Sequence, residues 1–303
     1  MDIFRRWWIY ISEVFLPGSR ILISILIYVG VMFLYQALIN RIPLVLTLDL
    51  VPGVTTLVLM FLYFRIQDEF KDRETDRRFF PDRPVPAGRV SLHDLATLMW
   101  VNFALLFLIN IMWGRAIGMF LFFLGFSMLM HKWFFMEKKI SRNRLLALAT
   151  HGPFGFVANL FVVAIYTNRY EIPLLSLNTA LATFWFALTG FYWDVARKTR
   201  APHEEMEGYQ TYSIMLGHSW SSVLAFSFIL AQAVMLIWLP ISRWYGLFFV
   251  LCVLSLAAIF VNFILKPERG SKHLQLATEI FTSMVICGII LDLSFSRGIG
   301  WTR

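Results

Sequence analysis

Asp68, Asp72 and Asp76 recur every fourth residue in the stretch RIQDEFKDRETDRRFFPDRPVPAG, and half of its 24 positions are ionisable. At helical spacing such a series places the carboxylates on one stripe, successive members about 40° apart. Three carboxylates side by side repel one another unless a hard cation joins them. Magnesium takes one or two carboxylates and completes its shell with water and substrate phosphate oxygens. The interleaved Lys71 and Arg73 can meet phosphate directly. The same residues would also serve as a solvated helix end whose acids pair with neighbouring bases. Downstream, Pro81 to Gly88 carries the prolines and glycine that stop a helix and turn the chain, and Ser91 stands as an N-cap for the next apolar run. A further acid, Asp194, lies at the end of another apolar run.

The elements that hold these groups are apolar. Of 303 residues, 58% are hydrophobic and only 15% charged, with 30 Phe and 11 Trp. A soluble domain carries about 25% charge, so this chain is read as an all-α, polytopic membrane protein. Runs long enough to span a bilayer, about 20 residues, fall at 20–39, 44–64, 93–113, 115–135, 145–167, 173–193, 219–239, 243–265 and 273–293, nine in all. His151, Gly152 and Pro153 predict a kink in the fifth. Residues 1–16, with Trp7, Trp8 and Tyr10, read as an interfacial amphipathic helix. No signal peptide is apparent. Cys252 and Cys287 lie in apolar runs and suggest neither a metal site nor a disulfide framework.

Lys and Arg concentrate at the N-terminus and in the loops after the second, fourth, sixth and eighth spans. The alternate loops hold one each, Arg41, Arg115, Arg169 and Arg243. The positive-inside rule therefore puts the N-terminus and the two long loops, about 65–92 and 194–218, in the cytoplasm. The net charge of +8 follows from those loops and anionic lipid rather than from nucleic acid. The long loops are four spans apart, which hints at two related four-helix halves.

The run Asp68-x3-Asp72-x3-Asp76, followed by Asp82-Arg83-Pro84-Val85-Pro86-Ala87-Gly88, resembles the first aspartate-rich motif of the UbiA superfamily of intramembrane prenyltransferases. The resemblance implies a single domain, 1–303, of nine transmembrane helices around a central cavity. It implies a Mg²⁺-dependent transfer of a prenyl group from a prenyl diphosphate to a lipophilic acceptor. The family's second motif resembles Gly190–Gly217, where Asp194 matches the first acid and Gly208, Thr211, Tyr212 and Gly217 match the tail. Here the chain departs from the family: Lys198 stands where an acid is expected, and KTRAPHEEME reads as an insertion. Glu204, four residues before Gly208, is the first choice to replace the missing carboxylate, ahead of Glu205 and Glu207.

The resemblance thus implies metal ligands at Asp68, Asp72, Asp76, Asp194 and Glu204, with Asp72, Asp76 and Asp194 central to catalysis. Diphosphate would meet Arg73, Arg77, Lys198, Lys138 and Lys139. His151 is the candidate for the acceptor. Two other readings compete: a UbiA-type terpene cyclase, which ionises the diphosphate without an acceptor, and a transporter or lipid-binding protein. The transporter reading expects acids near the midplane, whereas these acids sit at one membrane edge. A bacterial inner membrane is the expected location.

Overall fold

The computed structural model describes residues 2–302. The first helix, α1 (Ile3–Tyr10), is capped by the Asp2 carboxylate, which accepts from the Arg5 amide, and runs into a π turn over Ile11–Phe15. Next come α2 (Pro17–Leu38), a strand β1 (Leu44–Thr47) and α3 (Leu50–Lys71). After a short α4 (Arg73–Phe79) follow α5 (Leu92–Trp113), α6 (Ile117–His131), α7 (Glu137–Ile140), α8 (Arg144–His151) and α9 (Phe154–Arg169). The second half holds α10 (Leu177–Arg197), α11 (Tyr212–Met235), α12 (Arg243–Leu265) and α13 (Lys272–Arg297), with β2 (Ile299–Thr302) last.

Polar residues set the helix starts. Ser91 and Asp94 form a reciprocal capping box on α5, and Asn143, Ser176, Thr211 and Ser242 cap α8, α10, α11 and α12. Such caps stabilise a helix by about 1 kcal/mol each. Gly114 ends α5 in the left-handed conformation (φ 67°), which costs glycine nothing.

The core holds large aromatic side chains, among them Trp185, Tyr28, Tyr192, Phe120 and Phe249. Trp100, Ile111, Met112, Leu251 and Leu254 instead lie exposed on outer helix faces. A chain that leaves so much apolar surface outside is built for lipid. Seven described helices are long and apolar enough to cross a membrane: α2, α3, α5, the α8–α9 pair, α11 with its last turn, α12 and α13. That is two fewer than the nine spans read from the sequence. The two remaining ranges do form helices. One, α6, has 15 residues, about 22 Å at 1.5 Å per residue. The other, α10, has 21 residues but mixes Thr, Tyr, Trp and Asn with its apolar side chains.

Two boundaries differ from the sequence reading in ways that matter, and a third matches its expected kink. Residues 44–47 pair as a strand with Ile299–Thr302 in parallel register, so the second long helix starts later and runs on to Lys71. The helix does not continue from Asp68 through Asp76: Asp72 (φ −98°, ψ 13°) interrupts it between α3 and α4. The fifth expected span breaks into α8 and α9 at Gly152 and Pro153. At Gly152 a side chain would run into the Phe191 ring and the Leu148 carbonyl.

The end of the bundle away from the aspartates is closed by a buried carboxylate. Asp49 accepts from Trp113 Nε1 at 2.6 Å and Arg169 Nη1 at 2.8 Å, with Arg115 Nε 3.7 Å away. Two of the four isolated bases on that side are thus anchors of this cluster.

Candidate active site

Two charged helix ends face each other at the opposite end of the bundle. From α3 come Asp68 and Lys71, with Asp72 just beyond; from α10 come Asp194 and, as its cap, Lys198. The positive charge of Lys198 acts on both Asp68 and Asp72, so the two ends lie within electrostatic reach of each other.

The α3 end is poor in partners. Among the described residues the Asp68 carboxylate has only Lys71 Nζ, at 4.0 Å. Asp72 is half-buried and accepts no hydrogen bond from any described side chain. Burial raises its pKa above the ordinary 3.8, opposed by Lys71, Arg144 and Lys198 and reinforced by Asp76. The α10 end is saturated. Asp194 accepts from Lys198 Nζ at 2.8 Å, Arg197 Nη2 at 3.2 Å and the Tyr212 hydroxyl at 2.9 Å. Burial lowers the Lys198 pKa below 10.5, while Asp194 pulls it back up.

Lys71 is held from below. Its ammonium lies 3.2 Å from His151 Nε2 and 4.1 Å from the centre of the Trp133 ring. An ammonium can only donate, so His151 Nε2 accepts and its proton sits on Nδ1. That atom is 2.9 Å from Thr150 Oγ1, whose hydroxyl donates to the Leu146 carbonyl. The turn that brings Trp133 here is unusual: Trp133, Phe134 and Phe135 all have positive φ, 50°, 49° and 59°. Side-chain-bearing residues pay of order 1–3 kcal/mol for sparsely populated backbone conformations. Beneath the charges lie aromatic rings. Phe64, one turn before Asp68, stacks on Phe154 at 4.8 Å, and Phe123 and Phe61 approach Phe154 at 5.2 and 6.2 Å.

The two long loops interlock above the cleft. Arg78 Nη2 donates to the Glu207 carbonyl at 3.1 Å, and Tyr209 packs on Phe79 and Phe80. Arg144 Nε donates to the Gln210 carbonyl at 3.1 Å, and its charge reaches Asp72, Lys71 and Lys198.

The other expected site residues lie elsewhere. The Asp76 carboxylate is bonded to Arg83 at 2.9 Å. Arg73 and Arg77 line a separate cavity beside the turn Val85–Ser91. Lys138 and Lys139 are exposed on α7, and their side chains make no hydrogen bond or ion pair to any described residue. Glu204 accepts from the amides of Ala201 and Ser271 at 2.9 Å. Burial pushes its pKa up, but those hydrogen bonds outweigh it and hold it low. Glu205 accepts from the Thr211 hydroxyl at 2.8 Å. Among the described residues no three His, Cys, Asp or Glu side chains gather as a metal-holding group, so the five carboxylates expected from the sequence are not assembled. The donors that are present still suit a hard cation shared with substrate. Asp72 and Asp68 are neighbouring carboxylates short of donors, and magnesium needs only one or two such ligands from protein.

The sequence reading passed over three contributors. Arg144 counted there only among the bases after the fourth span that set topology. Tyr212 appeared only as part of a motif tail, and Trp133 not at all. No local pattern marks Arg144 or Trp133, because both reach the cleft through turns between α6 and α8.

An all-α, multi-pass membrane protein with acids and bases facing one another above an aromatic interior is what the fold and the cleft define. A family model described as the UbiA prenyltransferase family matches residues 23–284, and the chain belongs to that family. A solved structure from work on the biosynthesis of digeranylgeranylglyceryl phosphate synthase in membranes superposes with a TM-score of 0.64. The match covers 95% of this chain and 99% of that chain at 15% identity, a likeness of fold. No curated protein matches the chain.

Proposed function

We propose that the chain is an intramembrane prenyltransferase that ionises a prenyl diphosphate in the cleft between α3 and α10 and passes the prenyl group to a lipophilic acceptor. The observation that carries this reading is the meeting of Asp68, Lys71 and Asp72 with Asp194 and Lys198, with Trp133 against Lys71 and with Phe64, stacked on Phe154, one turn before Asp68. Diphosphate is a dense anion and the prenyl chain is wholly apolar. Few ligands need a rim of mixed charge joined to an aromatic interior.

Asp68 and Asp72 would hold Mg²⁺, which when bound neutralises the diphosphate and stabilises it as a leaving group. Lys198, Lys71 and Arg144 supply the protein's own positive charge to the same oxygens. Asp194 orients Lys198 and Tyr212 rather than acting alone. When the C–O bond breaks, its electron pair leaves with the diphosphate and an allylic cation remains. The ring faces of Trp133, Phe64 and Phe154 favour that cation, an effect of about 0.5–2 kcal/mol per well-placed ring. The apolar interior delays capture by water. His151, fixed with Nε2 toward Lys71, borders the space for the acceptor. Glu204 and Asp76 are loop anchors in this scheme.

The scheme also takes α6 and α10 as spans, giving nine, with the N-terminus and the cleft cytoplasmic. Polar groups of α10 are met by protein rather than lipid: Asn159 Nδ2 donates to the Thr183 carbonyl and Gln232 Nε2 to the Trp185 carbonyl. A helix so lined can sit inside a bundle despite modest hydrophobicity.

The test is pyrophosphate release by purified protein in nanodiscs. C10, C15 and C20 prenyl diphosphates are supplied with Mg²⁺, with and without a lipid extract of the host. Release that depends on the extract and is lost in Asp72→Asn supports the transferase. Release without extract, with a hydrocarbon or alcohol product, points to a cyclase. No release from folded protein under any condition overturns both.

A further inference from the structure

The residues around the α3–α4 break fall into two sets. Asp68, Lys71 and Asp72 face the cleft. Glu69, Arg73, Asp76 and Arg77 line a cavity of about 240 Å³ closed by the turn Val85–Ser91 and the first residue of α5, Leu92. Both carboxylates of this cavity already have partners: Glu69 pairs with Arg65 at 2.6 Å and Asp76 with Arg83 at 2.9 Å. Arg73 and Arg77 are exposed, and neither side chain forms a hydrogen bond or ion pair with any described residue. They are four residues apart in one short helix, so their guanidiniums share a face. Four guanidiniums against two carboxylates leave a surplus of about two positive charges, close to the −1.5 to −2 of a phosphomonoester.

The opposite wall is apolar, with Val85, Pro86 and Leu92. Leu92 opens a helix long and apolar enough to cross a membrane, so the cavity sits at the end of that helix, the level of lipid headgroups for a spanning helix. Its volume falls below the roughly 300–1,000 Å³ of sites for drug-sized ligands, so it suits a headgroup and not a whole lipid. Guanidinium also matches phosphate oxygens two at a time.

We propose that this cavity is a second anion site, distinct from the cleft, in which Arg73 and Arg77 hold the phosphomonoester headgroup of an anionic amphiphile. The acyl or prenyl body of that molecule leaves past Pro86 and Leu92 into the bilayer. The proposal does not depend on the prenyl-transfer reading.

Calorimetric titration of the detergent-solubilised full chain tests it, with dioctanoyl phosphatidic acid and, in a separate arm, glycerol 3-phosphate. Wild type is expected to bind the phosphatidic acid. Arg73→Gln/Arg77→Gln should weaken binding at least tenfold. Arg73→Lys/Arg77→Lys, which keeps the charge but loses the fork, should fall between. Lys138→Gln/Lys139→Gln, which removes two exposed bases outside the cavity, should bind as wild type does. Binding of glycerol 3-phosphate as tightly as the lipid identifies the phosphate alone as the ligand, and preference for the lipid identifies a membrane headgroup. Equal affinity in wild type and the folded double Gln variant overturns the site. So does a loss of binding seen in Asp72→Asn alone, which would move the lipid to the cleft.

Discussion

At the end of α3, Asp68 and Asp72 stand nearly without donors; at the end of α10, Asp194 is gripped by Lys198, Arg197 and Tyr212. Both ends lie at one side of the bundle, and both lead into a long loop. One holds unspent negative charge that requires a cation from outside. The other carries its own cation in covalent form. The family resemblance leads one to expect acids at both ends, and Lys198 replaces one of them. The contrast teaches that the positive charge for a diphosphate can be divided, one share bound and one share built into the chain.

The sharpest way to break this comparison is to remove one carboxylate from each end. Asp72→Asn is expected to lower pyrophosphate release by about a hundredfold or more, the scale on which loss of one preorganised electrostatic group acts. Asp194→Asn should cost about tenfold, because Lys198 and Arg144 stay in place. Equal losses in a steady-state assay would show that the ends work alike.

Lys198→Gln comes next. It should raise KM for the prenyl diphosphate about tenfold and make the rate depend more steeply on Mg²⁺, since the built-in charge is gone. An unchanged magnesium titration would remove Lys198 from the diphosphate's reach.

The pH dependence separates function from folding. Burial raises the Asp72 pKa above 3.8 in the folded protein, so the folded state binds this proton more tightly than the unfolded one. The group's contribution to stability is therefore most favourable at low pH and declines as pH rises from the unfolded to the folded value. Activity, which needs the carboxylate, should move the other way and fall on acidification through the folded value. Thermal midpoints and initial rates across acidic buffers should diverge, and Asp72→Asn should flatten this component of both.

Smaller effects test the scaffold. Gly152→Ala pushes a methyl group into Phe191 at the α8–α9 break and should destabilise by about 1–3 kcal/mol, as overpacking does. A lowered denaturation midpoint with proportionate loss of rate is the expected result. Glu204→Gln keeps an acceptor for the Ala201 and Ser271 amides and should leave the rate within about twofold, on the scale of an ordinary hydrogen bond. A tenfold loss there would return Glu204 to the cleft.

Much of this was legible in the sequence. Charge alternation, span lengths and the series Asp68, Asp72, Asp76 point to a membrane bundle with a charged edge. The kink at Gly152–Pro153 and the cap at Ser91 follow from local stereochemistry alone. The division of the aspartates was not legible. It turns on a backbone change at Asp72, and helical periodicity carries straight through that point. The length of α6 was also hidden, because Lys132–Met136 is as apolar as a helix but leaves the helical conformation. Glu204 has a spacing to Gly208 that fits a motif, while its hydrogen-bond partners in the fold, the amides of Ala201 and Ser271, include one 67 residues away, which no local pattern shows.

The left-handed turn at Trp133–Phe135 gives the cleft an optical handle. Trp133 is an indole whose face lies 4.1 Å from an ammonium, and a charge so close perturbs the energy of its excited state. If diphosphate draws Lys71 toward itself, the ring loses that neighbour and its emission changes colour or intensity. Subtracting the spectrum of Trp133→Phe from that of the wild type isolates this one fluorophore among the chain's 11. The protein would then signal the arrival of its substrate without any label.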